Sequence, residues 1–148
     1  MKICTFFGQS IIGNQDKYIA DILRILDREI GEDNVNFLIG GIEGMVPTAL
    51  LCCYIYKTTH PNTKLILVPT SNDIPPYLRK IFDIVFYSAL EDETPENAIK
   101  YRNHYIVDHC DLIITNFYDI ADTAFDLYLH AEKMGKTIYN LHDPVQFY

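Results

Sequence analysis

The sequence predicts an α/β domain of Rossmann-like type, a three-layer αβα sandwich built on a mainly parallel sheet of about five strands. Three observations predict it. Short apolar runs alternate with helix-length segments five times along the 148 residues. Four of the runs are continuously apolar rather than alternating, the pattern of parallel strands covered on both faces. Glycine or proline follows several runs where a strand would give way to a turn, as at Gly8, Gly40-Gly41 and Pro69. The length suits one domain spanning 1–148, with no repeat, low-complexity segment or linker.

The first run, Lys2 to Phe7, reads as a buried strand ending at Gly8. Ile19, Ile22, Leu23, Ile25, Leu26 and Ile30 then form the apolar stripe of a helix, with Asp21, Arg24, Asp27, Arg28 and Glu29 on the other side and Gly31 as its stop. Val35 to Ile39 is the second strand. Met45 to Tyr56 is apolar almost all round and reads as a buried helix, with Pro47 tolerated in its first turn. Lys64 to Val68 is the third strand. Residues 70–94 contain Pro75-Pro76, a hydrophobic piece at Ile81–Tyr87 and the acidic Glu91-Asp92-Glu93; a short helix or an extra strand, then a mobile loop, is expected there. Thr94-Pro95-Glu96 has the form of a helix start, and that helix should run to about His109. Asp111 to Asn116 is the fourth strand, Ile120 to Met134 a helix stopped by Gly135, and Thr137 to Leu141 the last strand.

Twenty acidic against 12 basic residues give a formal net charge of −8. Such a field repels phosphate backbones and argues against general nucleic-acid binding, which relies on Lys and Arg. An anionic small ligand would have to be held by local donors. Cys4, Cys52, Cys53 and Cys110 show no C-x-x-C spacing and read as buried thiols in a reducing, cytoplasmic setting. No secretory leader is expected, and no apolar run reaches the ~18 residues that span a bilayer. His60, His104, His109, His130 and His142 lack metal-ligand spacing, so neither a metal nor a cofactor is expected. G-x-S-x-G and G-K-(S/T) are also absent, which sets aside common hydrolase and kinase-like readings.

In open α/β sheets, ligands bind outside the carboxyl ends of the strands, where the strand order switches. Three loops meet that rule. Gly8-Gln9-Ser10 follows the first strand and is either an ordinary strand-to-helix turn or a ligand contact, with Gly8 permitting close approach. Gly40-Gly41-Ile42-Glu43-Gly44-Met45 joins the second strand to the buried helix. Three glycines in five residues exceed a turn's needs, and amides at that helix start could cradle a phosphate. Glu43 would be an awkward neighbour for a phosphate and suits a ribose hydroxyl or acid/base work instead. In the third loop, Asn116 to Asp126, Asp122 and Thr123 either contact a ligand or cap the following helix. Arg102 is either part of a solvated helix face or a cation for a phosphate or carboxylate.

These segments together resemble the SMF/DprA–LOG (SLOG) superfamily of Rossmann-like nucleotide-binding proteins. Phe6-Phe7-Gly8-Gln9-Ser10 is similar to the F-F-G-H-R opening of an uncharacterised bacterial and phage branch, and to F-C-G-S-S of the LOG enzymes. Gly40-Gly41-Ile42-Glu43-Gly44-Met45 resembles the LOG stretch G-G-x-x-G-(L/M)-M. Arg102-Asn103, with Asp111 nine residues after the arginine, is similar to that branch's R-N-x-x-(M/I)-V-D-x-(A/C)-D. Ala131 to Lys136 and Ile138 to Leu141 resemble its closing helix and strand.

The resemblance implies a nucleotide or nucleotide-derived ligand at Gly8, Gln9, Ser10, Gly40, Gly41, Gly44, Met45, Asp122 and Thr123. It also implies an alternative, the LOG reaction: cleavage of the N-glycosidic bond of a nucleoside monophosphate. LOG enzymes use the matching arginine and a glutamate in P-G-G-x-G-T-x-x-E. Here Arg102 would grip the phosphate or sugar, and Asp126 or Glu43 would stabilise positive charge on the ribose or activate water. Thr123 matches the motif threonine with one inserted residue, which puts Asp126 at the glutamate, but the motif's glycines are missing. Binding is therefore expected ahead of catalysis. Related proteins dimerise through helices beside the site, and 11 tyrosines could line an interface, so a homodimer is expected.

Overall fold

The alternation of strands and helices gives the element order β1 (Lys2–Gly8), α1 (Gln15–Glu29), β2 (Val35–Ile39), α2 (Val46–Thr59), β3 (Lys64–Leu67), α3 (Pro76–Ile81), β4 (Ile84–Val85), α4 (Pro95–His109), β5 (Leu112–Asn116), α5 (Phe125–Lys133) and β6 (Thr137–Asn140) in the computed structural model. The structure describes residues 1–71, 73–87, 94–118 and 125–142. The strands form one sheet in the order β4-β3-β2-β1-β5-β6, and every pairing is parallel.

The fold is the Rossmann-like αβα type, with one strand more than expected. Ile84 and Val85 pair with Ile66 and Leu67 at one sheet edge. Two residues carry too little periodicity to read as a strand. The short helix and the extra strand, alternatives in the sequence, both occur here as α3 and β4. The loop expected beyond them falls on residues 88–93, outside the described residues, as do 119–124, where the helix leading to Gly135 was expected to start.

Alternation of side chains divides the core between the two faces. Cys4 and Phe6, Val35, Phe37 and Ile39, Leu65 and Leu67, Leu112 and Ile114 pack with Ile22, Ile25 and Leu26 of α1 and with Ala49, Cys52, Cys53 and Tyr56 of α2. Leu38, Val68 and Ile113 pack on the opposite face with Ile106 and Val107 of α4 and Ala131 of α5. Phe37 is fully buried, stacked on Phe6 at 5.6 Å and edge-on to Tyr56 at 6.4 Å. Truncating such a ring to alanine costs about 3–5 kcal/mol.

Local chemistry sets the helix ends. Asn14 caps α1 by accepting from the Lys17 amide, and Thr94 caps α4 by accepting from the Asn97 amide, each at 3.3 Å. Asp21, a buried residue of α1, is paired with Lys17 at 2.9 Å and Arg24 at 3.8 Å. Among the described residues, no helix is long and apolar enough to cross a membrane.

Strand order places the switch between β1 and β5. From β1 the chain steps outward through β2, β3 and β4, then returns through α4 to pair β5 with the other side of β1. α1, which follows β1, and α5, which follows β5, pack on opposite faces of the sheet, the arrangement that leaves a crevice at its carboxyl end.

Candidate functional site

A cleft of about 620 Å³ occupies that crevice. Its volume falls in the range of small-molecule sites. The β1 loop lines it with Gly8, Gln9 and Ser10, the β2–α2 loop with Gly40, Gly41, Glu43 and Gly44, and α4 with Arg102. The structure thus brings together residues up to 94 positions apart, from Gly8 to Arg102, that the sequence analysis singled out separately.

Two glycines let the loops touch. Gly44 has φ +61°, and a Cβ there would stand 2.0 Å from the Gly8 carbonyl oxygen. Gly8 has φ +143°, and its Cβ would meet the Asn116 backbone nitrogen at 2.6 Å. Both obstacles are backbone and cannot swing aside, so only glycine fits. The contact is closed by the Met45 amide donating to the Gly8 carbonyl at 3.3 Å and by the Gln9 amide donating to the Asn116 carbonyl at 2.8 Å.

The glycine-rich stretch has further reasons besides a ligand. A Cβ at Gly40 would stand 2.9 Å from Arg102 Nε, and one at Gly41 2.6 Å from Glu43 Oε2. Gly40 makes room for the guanidinium, and Gly41 for a carboxylate that could move. The start of α2 also offers fewer amides than its sequence suggests. Met45 donates to Gly8, Val46 donates to the Glu43 carbonyl at 3.2 Å, and Pro47 has no N–H. Among the described residues, the amides of Gly41, Ile42 and Glu43 make no hydrogen bond, so the loop ahead of the helix holds the available donors.

Arg102 is half-buried and heavily engaged. Nη1 donates to the Gly40 carbonyl and, at 3.4 Å, to the Val68 carbonyl, while Nε donates to Asn103 Oδ1 at 2.8 Å. The guanidinium therefore ties α4 to the loops that follow β2 and β3. Nη2 has no partner among the described residues. Burial pulls the Arg102 pKa down from its ordinary value, and the Glu43 carboxylate opposes that shift. Among the described residues, Arg102 and Glu43 are the charged side chains that line the cleft. These hydrogen bonds give Arg102 a structural role in place of the plain solvated helix face.

Two expected site residues lie elsewhere. Met45 is fully buried in the core, and the neighbouring Val46 lines the cleft instead. Asp126 is exposed in the first turn of α5, while Leu127 beside it faces the cleft. Asp122 and Thr123 lie outside the described residues.

Other residues have places at the site that the sequence did not assign one by one: Ile99 and Ile106 were not singled out, Asn103 stood only beside Arg102 in the resemblance, and Asn116 and Tyr118 stood only within the third loop. Ile99, Asn103 and Ile106 line the cleft with Arg102. Their spacing around Arg102 is the i, i+3, i+4, i+7 pattern of one helix face, a signal readable once Arg102 is suspected. Asn116 at the end of β5 donates from Nδ2 to the carbonyls of Gln9 at 3.1 Å and Ser10 at 3.4 Å. The Tyr118 amide donates to Gln9 Oε1 at 2.9 Å, and Tyr118 closes one wall of the cleft. Among the described residues, no group of three His, Cys, Asp or Glu side chains could hold a metal ion.

Neither a family model nor a curated protein matches the chain in sequence. Among solved structures, the uridylate kinase of Archaeoglobus fulgidus is similar over 84% of this chain and 71% of its own, with 14% identity and a TM-score of 0.28. A likeness of that size says nothing of ligand or chemistry.

Proposed function

We propose that this protein is a SLOG-type domain that binds a nucleotide or nucleotide-derived small molecule in the cleft between β1, β2 and α4. One observation carries the reading: Gly8–Ser10, Gly40–Gly44 and Arg102 converge on a single cleft at the switch in strand order. The parts suit the ligand. Amides of Gly41 to Glu43 and Nη2 of Arg102 are donors for a phosphate. The Glu43 carboxylate is an acceptor for ribose hydroxyls, and Phe7, Ile99 and Ile106 give an apolar wall. The protein's net charge of −8 makes these local donors, rather than long-range attraction, the source of affinity.

A thermal-shift screen over nucleoside monophosphates, ADP-ribose forms and cyclic nucleotides tests the reading. At least one class should raise the melting temperature in proportion to the logarithm of its concentration; a ligand at 100 times its Kd adds about 2.7 kcal/mol. No shift with any class would overturn it.

A second reading, N-glycosidase, draws support from Glu43 and Arg102 facing the same cleft. Water would add to C1′ of the ribose as the bond to the base breaks and the base leaves with a proton. Arg102 would hold the phosphate, and Glu43 would stabilise the cationic sugar or deprotonate the water. Exposed Asp126 leaves the carboxylate role to Glu43. Chromatographic release of free base, abolished in Arg102→Ala, would establish it; turnover unchanged in that variant would remove Arg102 from the reaction.

The reading includes a homodimer. α2 is apolar over most of its surface, and its outer side exposes Leu51, Tyr54 and Ile55. Sedimentation at micromolar concentration distinguishes dimer from monomer.

A further inference from the structure

Consecutive glycines seat the two charged side chains of the main cleft. A Cβ at Gly40 would stand 2.9 Å from Arg102 Nε, and a Cβ at Gly41 would stand 2.6 Å from Glu43 Oε2. The guanidinium therefore lies over Gly40 and the carboxylate over Gly41. Among the described residues, neither side chain takes part in an ion pair, so both charges are open to a ligand. Nor does any other charged side chain among those residues line the cleft. The side chains of the site thus sum to no net charge, inside a protein whose formal net charge is −8.

Arg102 also has few donors left to give. Nε is committed to Asn103 Oδ1 and Nη1 to the carbonyls of Gly40 and Val68, which leaves Nη2. The fork of two nitrogens with which arginine grips a phosphate edge-on is therefore closed unless one of these bonds breaks. A terminal phosphate monoester carries about two negative charges near neutral pH, and a phosphate esterified on both sides carries only one. The extra charge of the monoester must shed its water on entering the cleft. No second cation meets it there. The Glu43 carboxylate and the field of the whole protein both repel it.

We propose that the cleft selects a nucleotide whose phosphate is in diester linkage, cyclic or bridged to a second group, and that Glu43 is the residue that discriminates against a terminal monoester. The proposal rests on the reading of the cleft as a nucleotide site. Nη2 of Arg102 and the amides of Gly41 to Glu43 hold the singly charged phosphate. The Glu43 carboxylate accepts from a ribose hydroxyl and limits the negative charge that the site takes. Gly40 and Gly41 make this possible, because a side chain at either position would displace one of the two charges.

Calorimetric titration with the four common ribonucleoside 5′-monophosphates and with the 5′-methyl phosphodiester of each tests this in the wild type and in Glu43→Gln. The members of a pair differ by one methyl group and the charge it removes. Glu43 is exposed and glutamine keeps a carbonyl acceptor, so the fold should survive the substitution. In the wild type, the diester of the tightest-binding nucleoside should bind about tenfold more tightly than its monoester. Glu43→Gln should tighten the monoester by about tenfold and the diester by about threefold, because the gain scales with the charge on the ligand. A merely structural Glu43 would weaken both instead. A monoester that binds the wild type as tightly as its diester, or a Glu43→Gln protein that does not bind the monoester more tightly, would overturn the charge selection and leave the nucleotide cleft standing. Failure of every probe to bind the wild type would overturn both.

Discussion

Arg102 Nη1 donates to the carbonyl of Gly40, across 62 residues of sequence, and a Cβ at Gly40 would stand 2.9 Å from Arg102 Nε. The two residues define each other's space: the missing side chain admits the guanidinium, and the guanidinium anchors the loop. Arg102→Lys keeps the charge but cannot reach Gly40, Val68 and Asn103 together. It should lower stability by about 1.5–3 kcal/mol and weaken any ligand of the cleft, read from urea unfolding and a binding titration. A fully stable Arg102→Lys protein would show that the anchoring bonds are unimportant.

The contact between Gly44 and Gly8 makes a sharper prediction. Gly44→Ala combines a positive φ with a backbone clash, whereas Gly135→Ala has a positive φ of +70° and open space around the new Cβ. The Gly135 substitution should cost about 1 kcal/mol and the Gly44 substitution about 2–3 kcal/mol or more. Equal losses in thermal unfolding would mean that the β1 and β2–α2 loops give way easily.

Acid should weaken one particular tie. Asp83 accepts from the Leu65 amide at 2.9 Å and pairs with Lys57 at 3.0 Å. Partial burial alone would raise its pKa, but the Leu65 amide and the Lys57 ammonium outweigh burial and hold the carboxyl below its ordinary value. A carboxyl lowered by folding stabilises the folded state above its unfolded pKa and loses that effect as pH falls through the folded value. Asp83→Asn should therefore cost about 1 kcal/mol near neutrality. The gap from the wild type should narrow below about pH 4. Parallel stability curves down to pH 2 would contradict this.

The thiols should be inert while the protein is folded. All four are free and buried, and burial raises Cys4, Cys53 and Cys110 well above their ordinary values and Cys52 to about 12. Reaction with an aromatic disulfide reagent at pH 8 should occur only at the rate of unfolding. A rapid phase would reveal an accessible cysteine.

Most of the fold was legible because continuous apolar runs such as Leu65–Val68 have one stable use, a strand covered on both faces. Strand β4 was not, since Ile84-Val85 takes its place from pairing with Ile66-Leu67 rather than from its own pattern. At the site, Gly8, Gly40, Gly44 and Arg102 were recognisable from residue type and position. Asn116 and Tyr118 lay within the third candidate loop, but their individual contacts were not legible, because they are tertiary contacts with Gln9 and Ser10, more than 100 residues away. Met45 was misplaced by one residue: its amide bonds to Gly8, but its side chain turns into the core.

The central claim is that the glycine loops and Arg102 form one nucleotide site. Backbone amide shifts measured by NMR during titration with the tightest nucleotide of the screen test it directly. The largest perturbations should fall on residues 8–10 and 40–44, together with the Arg102 side chain. Perturbations confined to other surfaces, such as the exposed side of α2, or none with any nucleotide, would contradict it.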